Sequence, residues 1–173
     1  MQKGLLMVNT GNGKGKTTAA LGLAMRAVGH HQKVCMIQFI KGTWKSGEHL
    51  AKECLSDNLD FHVLGNGFTW TSNDLDADTH KAHNAWSFAK EMLASDKYQL
   101  VILDELTYLI NYGFVDRRDV FDCLANRRED LHVVVTGRDA PQALLDMADL
   151  VTEMIELKHP FKQGIKAQKG IEF

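Results

Sequence analysis

Residues 10–18 read Thr10-Gly11-Asn12-Gly13-Lys14-Gly15-Lys16-Thr17-Thr18, a stretch dense in glycine, lysine and hydroxyl groups. A polyphosphate leaving water must have its several negative charges solvated again. Consecutive backbone N–H groups at a glycine-rich turn, added to the positive end of a following helix, do this without needing side-chain room. Gly15, Lys16 and Thr17 match the last three positions of the phosphate-loop pattern GxxxxGK[ST]. Lys16 would reach the terminal phosphates and the Thr17 hydroxyl would ligate Mg²⁺. The first glycine of the pattern is replaced by Thr10, with Gly11 and Gly13 displaced into the loop.

A second set of chemical groups follows the apolar run Leu100-Val101-Ile102-Leu103, which ends in Asp104 and Glu105. Such a run delivers acid to the carboxyl edge of a sheet, where ligands of α/β proteins bind. Mg²⁺ takes carboxylate and water oxygens, so Asp104 or Glu105 would contribute directly or through water. MgATP is the ligand these parts imply. Thr136-Gly137-Arg138-Asp139-Ala140-Pro141 follows another apolar run and would place Arg138 near the same phosphates. The segment 65–75, GNGFTWTSNDL, sets Phe68 and Trp70 in an otherwise polar, glycine-bearing loop. Rings of that size normally contribute by burial, so their place on a loop asks for a function or a fold-back onto the core. The tail from Lys158 to Phe173 combines spaced lysines, glycines and apolar anchors. Asp78-Thr79-His80-Lys81-Ala82-His83 begins like a cobalt-ligating DxHxxG motif, but His83 holds the required glycine position and the segment reads as a solvated helix face.

These groups need a scaffold. Apolar runs at 5–8, 34–40, 61–64, 100–103, 133–135 and 151–157 are continuous rather than alternating, which is what strands covered on both faces should show. Helical periodicity occupies 16–28, with Gly29 as a stop, and 76–94, with shorter helices at 119–126 and 141–148. Alternating strands and helices predict an α/β fold with a mostly parallel sheet flanked by helices. At 173 residues the expectation is one domain, 1–173. Lys plus Arg (20) nearly balances Asp plus Glu (22), which argues against a dedicated nucleic-acid binder. No stretch has the length of a membrane span, and the start resembles no signal peptide. Cys35, Cys54 and Cys123 form no CxxC pattern, so reduced thiols and a cytoplasmic location are expected, with Cys35 as core packing. At this point a kinase, an ATPase motor, a nucleotide switch or nucleotide-dependent interaction module, and something rarer all remain open.

TGNGKGKTTAALGLAMRA, IQFIKG, GFTW, VILDEL, VTGRDAP, ADLVTEM and KHPFKQGIKAQKGIEF, in that order, resemble the phosphate-loop ATP:corrinoid adenosyltransferases. The resemblance covers nearly the whole chain. It implies a RecA-like fold, usually a homodimer, and transfer of the 5′-deoxyadenosyl group of ATP to the Co(I) of a reduced corrinoid such as cobalamin or cobinamide, with triphosphate released. An electron donor such as a reduced flavoprotein, and Mg²⁺ or Mn²⁺ as the metal, are implied with it. Similar proteins hold ATP reversed, so that the loop grips the departing end. Residues Gly11, Asn12, Gly13, Lys14, Gly15, Lys16, Thr17 and Thr18 would contact triphosphate, and Thr17 and Glu105 would bind the metal. Arg26 matches an arginine that contacts nucleotide. Phe68 and Trp70 match aromatics that displace the corrinoid's lower axial ligand. Some similar enzymes carry a basic N-terminal extension over the site; with nine residues before Thr10, that cover is expected to be absent, shortened or supplied by the tail.

Overall fold

A computed structural model describes residues 3–40, 47–51, 57–65 and 75–172 of the chain. Six strands form one sheet: β1 (Leu6–Thr10), β2 (Val34–Gln38), β3 (Leu59–Val63), β4 (Leu100–Asp104), β5 (His132–Thr136) and β6 (Leu150–Glu153). Their order across the sheet is β3-β2-β4-β5-β1-β6, and every neighbouring pair is parallel. The helices are α1 (Lys16–Gly29), α2 (Gly47–Ala51), α3 (Leu75–Ala94), α4 (Leu106–Asn111), α5 (Arg117–Ala125) and α6 (Gln142–Met147), with a 3₁₀ turn at Pro160–Gln163 near the end.

All residues of β1, β2 and β4 are buried, because their two faces feed two separate apolar clusters. Leu6, Val8, Val101, Leu103, Val133 and Val135 point to one side, where Trp86, Leu109, Leu124 and Leu144 from α3, α4, α5 and α6 cover them. Met7, Leu100, Ile102 and Val134 point to the other, covered by Ala20, Ala24 and Ala27 of α1. The alanines recur at helical spacing and are small, so α1 lies close against the strands. Trp86 is buried with its indole N–H donating to Asp119 Oδ2 at 2.7 Å, which satisfies the polar end of a large apolar group. Cys35 is buried in β2, and burial pushes its thiol up to about 12, as a packing residue should behave. His80 and His83 are exposed on α3, as the solvated-face reading requires. No helix among the described residues is long and apolar enough to cross a membrane.

One expectation about the sheet needs correcting. The apolar run 151–157 does not form a strand covered on both faces: β6 ends at Glu153 and all four of its residues are exposed. Among the described residues it is an edge strand, hydrogen-bonded to β1 on one side only. Ile155 and Leu157 beyond it are exposed as well.

Parallel strands bring their carboxyl ends to one rim. The register sets Asn9 beside Thr136, Leu103 beside Val135 and Gln38 beside Asp104. Three adjacent strands, β1, β5 and β4, thus deliver the loop that follows Thr10, the segment that follows Thr136, and Asp104 with Glu105 to the same place.

Candidate nucleotide site

The loop between β1 and α1 owes its shape to its glycines. Gly11 (φ 91°) and Gly15 (φ 110°) lie in the left-handed region that disfavours side chains. Gly13 is needed for space: a Cβ there would sit 2.7 Å from the Met154 carbonyl oxygen. That carbonyl accepts the Gly13 N–H at 2.6 Å, and the Met154 N–H returns to the Thr10 carbonyl at 2.9 Å, so the segment after β6 braces the loop. The departure at Thr10 now has a reason. Residue 10 is the last of β1, in extended backbone, and its hydroxyl accepts the Ala140 N–H at 3.2 Å. The left-handed turn falls one residue later, at Gly11, so no glycine is required at position 10.

Lys16 opens α1 and is only 7% exposed. Its ammonium folds back to donate to the carbonyls of Gly11 (2.7 Å) and Gly13 (2.8 Å). Burial lowers its pKa; the Glu105 carboxylate opposes that shift and the Arg138 charge adds to it. Lys14 pairs instead with the Glu172 carboxylate from the tail. The amides of the first turn of α1 have no partners within the helix and remain available to an anion.

Behind the loop lies a buried hydrogen-bonded cluster. Asp104, 3% exposed, accepts from the Thr17 hydroxyl (2.9 Å) and the Thr136 hydroxyl (2.7 Å) on Oδ1, and from the Gln38 amide (3.0 Å) on Oδ2. Glu105 follows with φ 64°, ψ 27°, a left-handed conformation at the start of α4. For a non-glycine residue this costs on the order of 1 kcal/mol and persists only where surroundings enforce it. Here the Glu105 N–H donates to Thr136 Oγ1 at 2.9 Å. Arg138 stands on a fixed turn between Gly137 (φ 143°) and Asp139 (φ 49°). Its carbonyl accepts from Thr107 at 2.7 Å, and the carbonyl of Asp139 accepts from Asn111 at 2.9 Å.

These groups surround a cavity of about 500 Å³. Asn12, Gly13, Lys14, Gly15, Lys16, Thr17, Thr18, Glu105 and Arg138 all line it, and Gly11 lies beneath, bonded to Lys16. Arg26 is not brought in. Ten residues along α1 from Lys16 it lies about 15 Å down the helix axis, exposed, against Leu5, His30 and His132 at the opposite rim of the sheet. Phe68 and Trp70 lie outside the described residues. Gln38, Thr136, Tyr108 and Glu172 are among the lining or supporting residues that sequence reasoning did not single out. Gln38 and Thr136 each carry a recognisable mark, a polar residue closing an apolar strand. Tyr108 hides in the run LTYLI, and its pKa is raised by burial and by the Glu105 charge.

Thr17, Asp104 and Glu105 offer hard oxygen donors, the set Mg²⁺ prefers, and no group of three or more His, Cys, Asp or Glu among the described residues forms an all-protein metal cage. A cation held by one or two protein oxygens and completed by phosphate suits this chemistry.

Residues 2–173 match the family described as ATP:corrinoid adenosyltransferase BtuR/CobO/CobP. The chain belongs to the ATP:corrinoid adenosyltransferase family. It is 44% identical over 172 residues to the corrinoid adenosyltransferase of Escherichia coli K12, covering 99% of this chain and 87% of that one. The Pseudomonas aeruginosa corrinoid adenosyltransferase is likewise 44% identical over 172 residues, with 99% and 85% covered. Among solved structures, the flagellar accessory protein FlaH of Methanocaldococcus jannaschii shares the fold, with a TM-score of 0.55, 14% identity, and 88% of this chain and 72% of that one covered. The six-stranded parallel sheet flanked by helices is the α/β fold that the alternation of strands and helices predicts.

Proposed function

We propose that this member of the family transfers the 5′-deoxyadenosyl group of ATP to the Co(I) of a reduced corrinoid and releases inorganic triphosphate. The observation that carries the reading is the gathering of loop amides, Lys16, Thr17, Glu105 and Arg138 around one cavity large enough for a nucleotide. Co(I) is a strong nucleophile. It attacks C5′ of ATP, the C5′–O bond breaks, and the bonding pair leaves with triphosphate. The protein's tasks are then to align cobalt with C5′ and to stabilise charge on the departing oxygen. With ATP reversed, the loop grips that departing end: Lys16 moves from the Gly11 and Gly13 carbonyls to phosphate oxygens, and Arg138 meets the same charge from the β5 side. Thr17 and Glu105 would hold Mg²⁺, or Mn²⁺ in its place, with Asp104 orienting Thr17. The bound ion supplies further charge neutralisation for the triphosphate.

Phe68 and Trp70 are assigned to the lower face of the corrin, where they displace the axial ligand and make Co(II) easier to reduce by an electron donor such as a reduced flavoprotein. The exposed edge of β6 and the apolar residues after it support a homodimer. Three widely spaced cysteines with no CxxC pattern support a cytoplasmic setting. Incubation with ATP and Mg²⁺, with and without chemically reduced cobalamin, tests the function. Triphosphate and adenosylcobalamin should form in equal amounts and only when corrinoid is present. ADP formed without corrinoid would overturn the assignment in favour of an ATPase or kinase.

A further inference from the structure

The strand between the phosphate loop's strand and the carboxylates' strand is β5, and its last residue, Thr136, is fully buried. One hydroxyl there does two things. It donates to Asp104 Oδ1 at 2.7 Å and accepts the Glu105 N–H at 2.9 Å. We propose that Thr136 is the positioning residue of the metal–triphosphate seat, a single hydroxyl that sets the two acidic residues and, through Asp104, Thr17. The inference rests on reading the cavity as such a seat.

The geometry gives each bond a task. Asp104 Oδ1 takes both the Thr136 and Thr17 protons, so the Thr136 bond fixes where the oxygen lies and hence where Thr17 Oγ1 is held. With its own proton given to Asp104, Thr17 keeps lone pairs for a cation. On the other side, the N–H bond to Thr136 holds the Glu105 backbone in its left-handed turn, the conformation that leaves residue 105 on the cavity wall. Thr136 itself has no freedom to drift. The next residue, Gly137, lies against Thr107 so closely that a Cβ there would sit 2.0 Å from its hydroxyl oxygen, and the Gly137 N–H donates to the Asn9 carbonyl at 3.2 Å. Valine matches threonine in shape but neither donates nor accepts, so Thr136→Val would remove the Glu105 amide's bond to residue 136 and release Asp104 Oδ1 from one of its two donors.

The test uses the full chain with Mn²⁺ as probe, followed by electron paramagnetic resonance in the presence of inorganic tripolyphosphate. Thr136→Val should weaken Mn²⁺ binding by about tenfold or more, the size expected for losing one hydrogen bond to a charged group. Thr136→Ser should stay within about threefold of wild type. Cob(II)alamin binding should change less than about threefold in both, since it does not depend on the acidic pair. Wild-type Mn²⁺ affinity in Thr136→Val would overturn the proposal, as would a parallel loss of cob(II)alamin binding, which would mean general damage. Should Thr136→Val fail to fold, Thr136→Ser decides: Mn²⁺ affinity lost despite the retained hydroxyl refutes the proposal. A wild-type protein that binds no Mn²⁺ with tripolyphosphate would sink the metal–triphosphate reading itself, a result distinct from any ranking of the variants.

Discussion

Replacing Gly13 by alanine would put a methyl carbon 2.7 Å from the Met154 carbonyl oxygen and 2.8 Å from the Ile155 carbonyl carbon, both backbone atoms that cannot swing aside. The loop or the segment after β6 must move, and the 2.6 Å Gly13–Met154 hydrogen bond is lost as it does. Overpacking with a lost hydrogen bond costs about 1–3 kcal/mol. For a chain of this size each kcal/mol lowers Tm by about 2–4 °C, so a drop of roughly 2–12 °C is expected. Displacement of the loop amides should also weaken inorganic tripolyphosphate binding by about tenfold, measured by calorimetry. Gly22 supplies the control. It lies inside α1 with nothing within 4 Å of an added Cβ, so Gly22→Ala should stabilise by roughly 0.5–1 kcal/mol through the helix backbone alone. A Gly13→Ala protein that melts like wild type and binds tripolyphosphate as tightly would refute the claim that the brace from Met154 shapes the loop.

Lys16→Ala should slow adenosyl transfer about ten- to a hundredfold whether the assay starts from Co(II) or from preformed Co(I), because it removes charge-assisted bonds to the leaving group; a deficit confined to the Co(II) assay would contradict its role. Phe68→Ala and Trp70→Ala should do the reverse, impairing the Co(II) reaction with a mild reductant far more than the Co(I) reaction, and equal losses would count against a lower-face role. Asp149 ties the start of β1 to the rest: its carboxylate accepts from Lys3 at 2.6 Å and from the Leu6 N–H at 2.9 Å, and these bonds hold its pKa below the ordinary carboxylate range. A lowered native pKa stabilises the fold above the unfolded value, about 3.9, and that contribution disappears as pH falls through the native pKa. Asp149→Asn should therefore unfold at lower denaturant than wild type at pH 7, with the gap closing as pH falls below the unfolded value; a gap of constant size would exclude the linkage.

Much of this architecture could be read from residue order because the central strands are buried on both faces and carry an unbroken apolar record. The spans 100–103 and 133–135 lie inside β4 and β5, and 16–28 lies inside α1. The helix α4 was missed because LTYLI continues the apolarity of β4, and the break between them is a backbone turn at Glu105 that no glycine or proline announces. The start of α5 was placed two residues late because Asp116, which caps it through the Arg118 N–H at 2.8 Å, precedes two arginines that resemble a loop. The run 151–157 misled for the opposite reason: apolarity can mark an uncovered edge as well as a core. At the site, the loop residues were legible as a consecutive motif. Thr136 and Gln38 carry only the mark of a polar residue ending an apolar strand; their importance comes from register across strands, which sequence order does not display.

The central strands are gripped along both flanks, whereas β6 is gripped along one. Gly13 hangs from the residue that follows that outermost strand. The anion cradle is thus hung from two mountings, β1, which has a strand on each side, and β6, which has one. A change at the sheet's edge would therefore reach the cradle directly through Met154, without passing through Asp104 and its partners Thr17, Thr136 and Gln38.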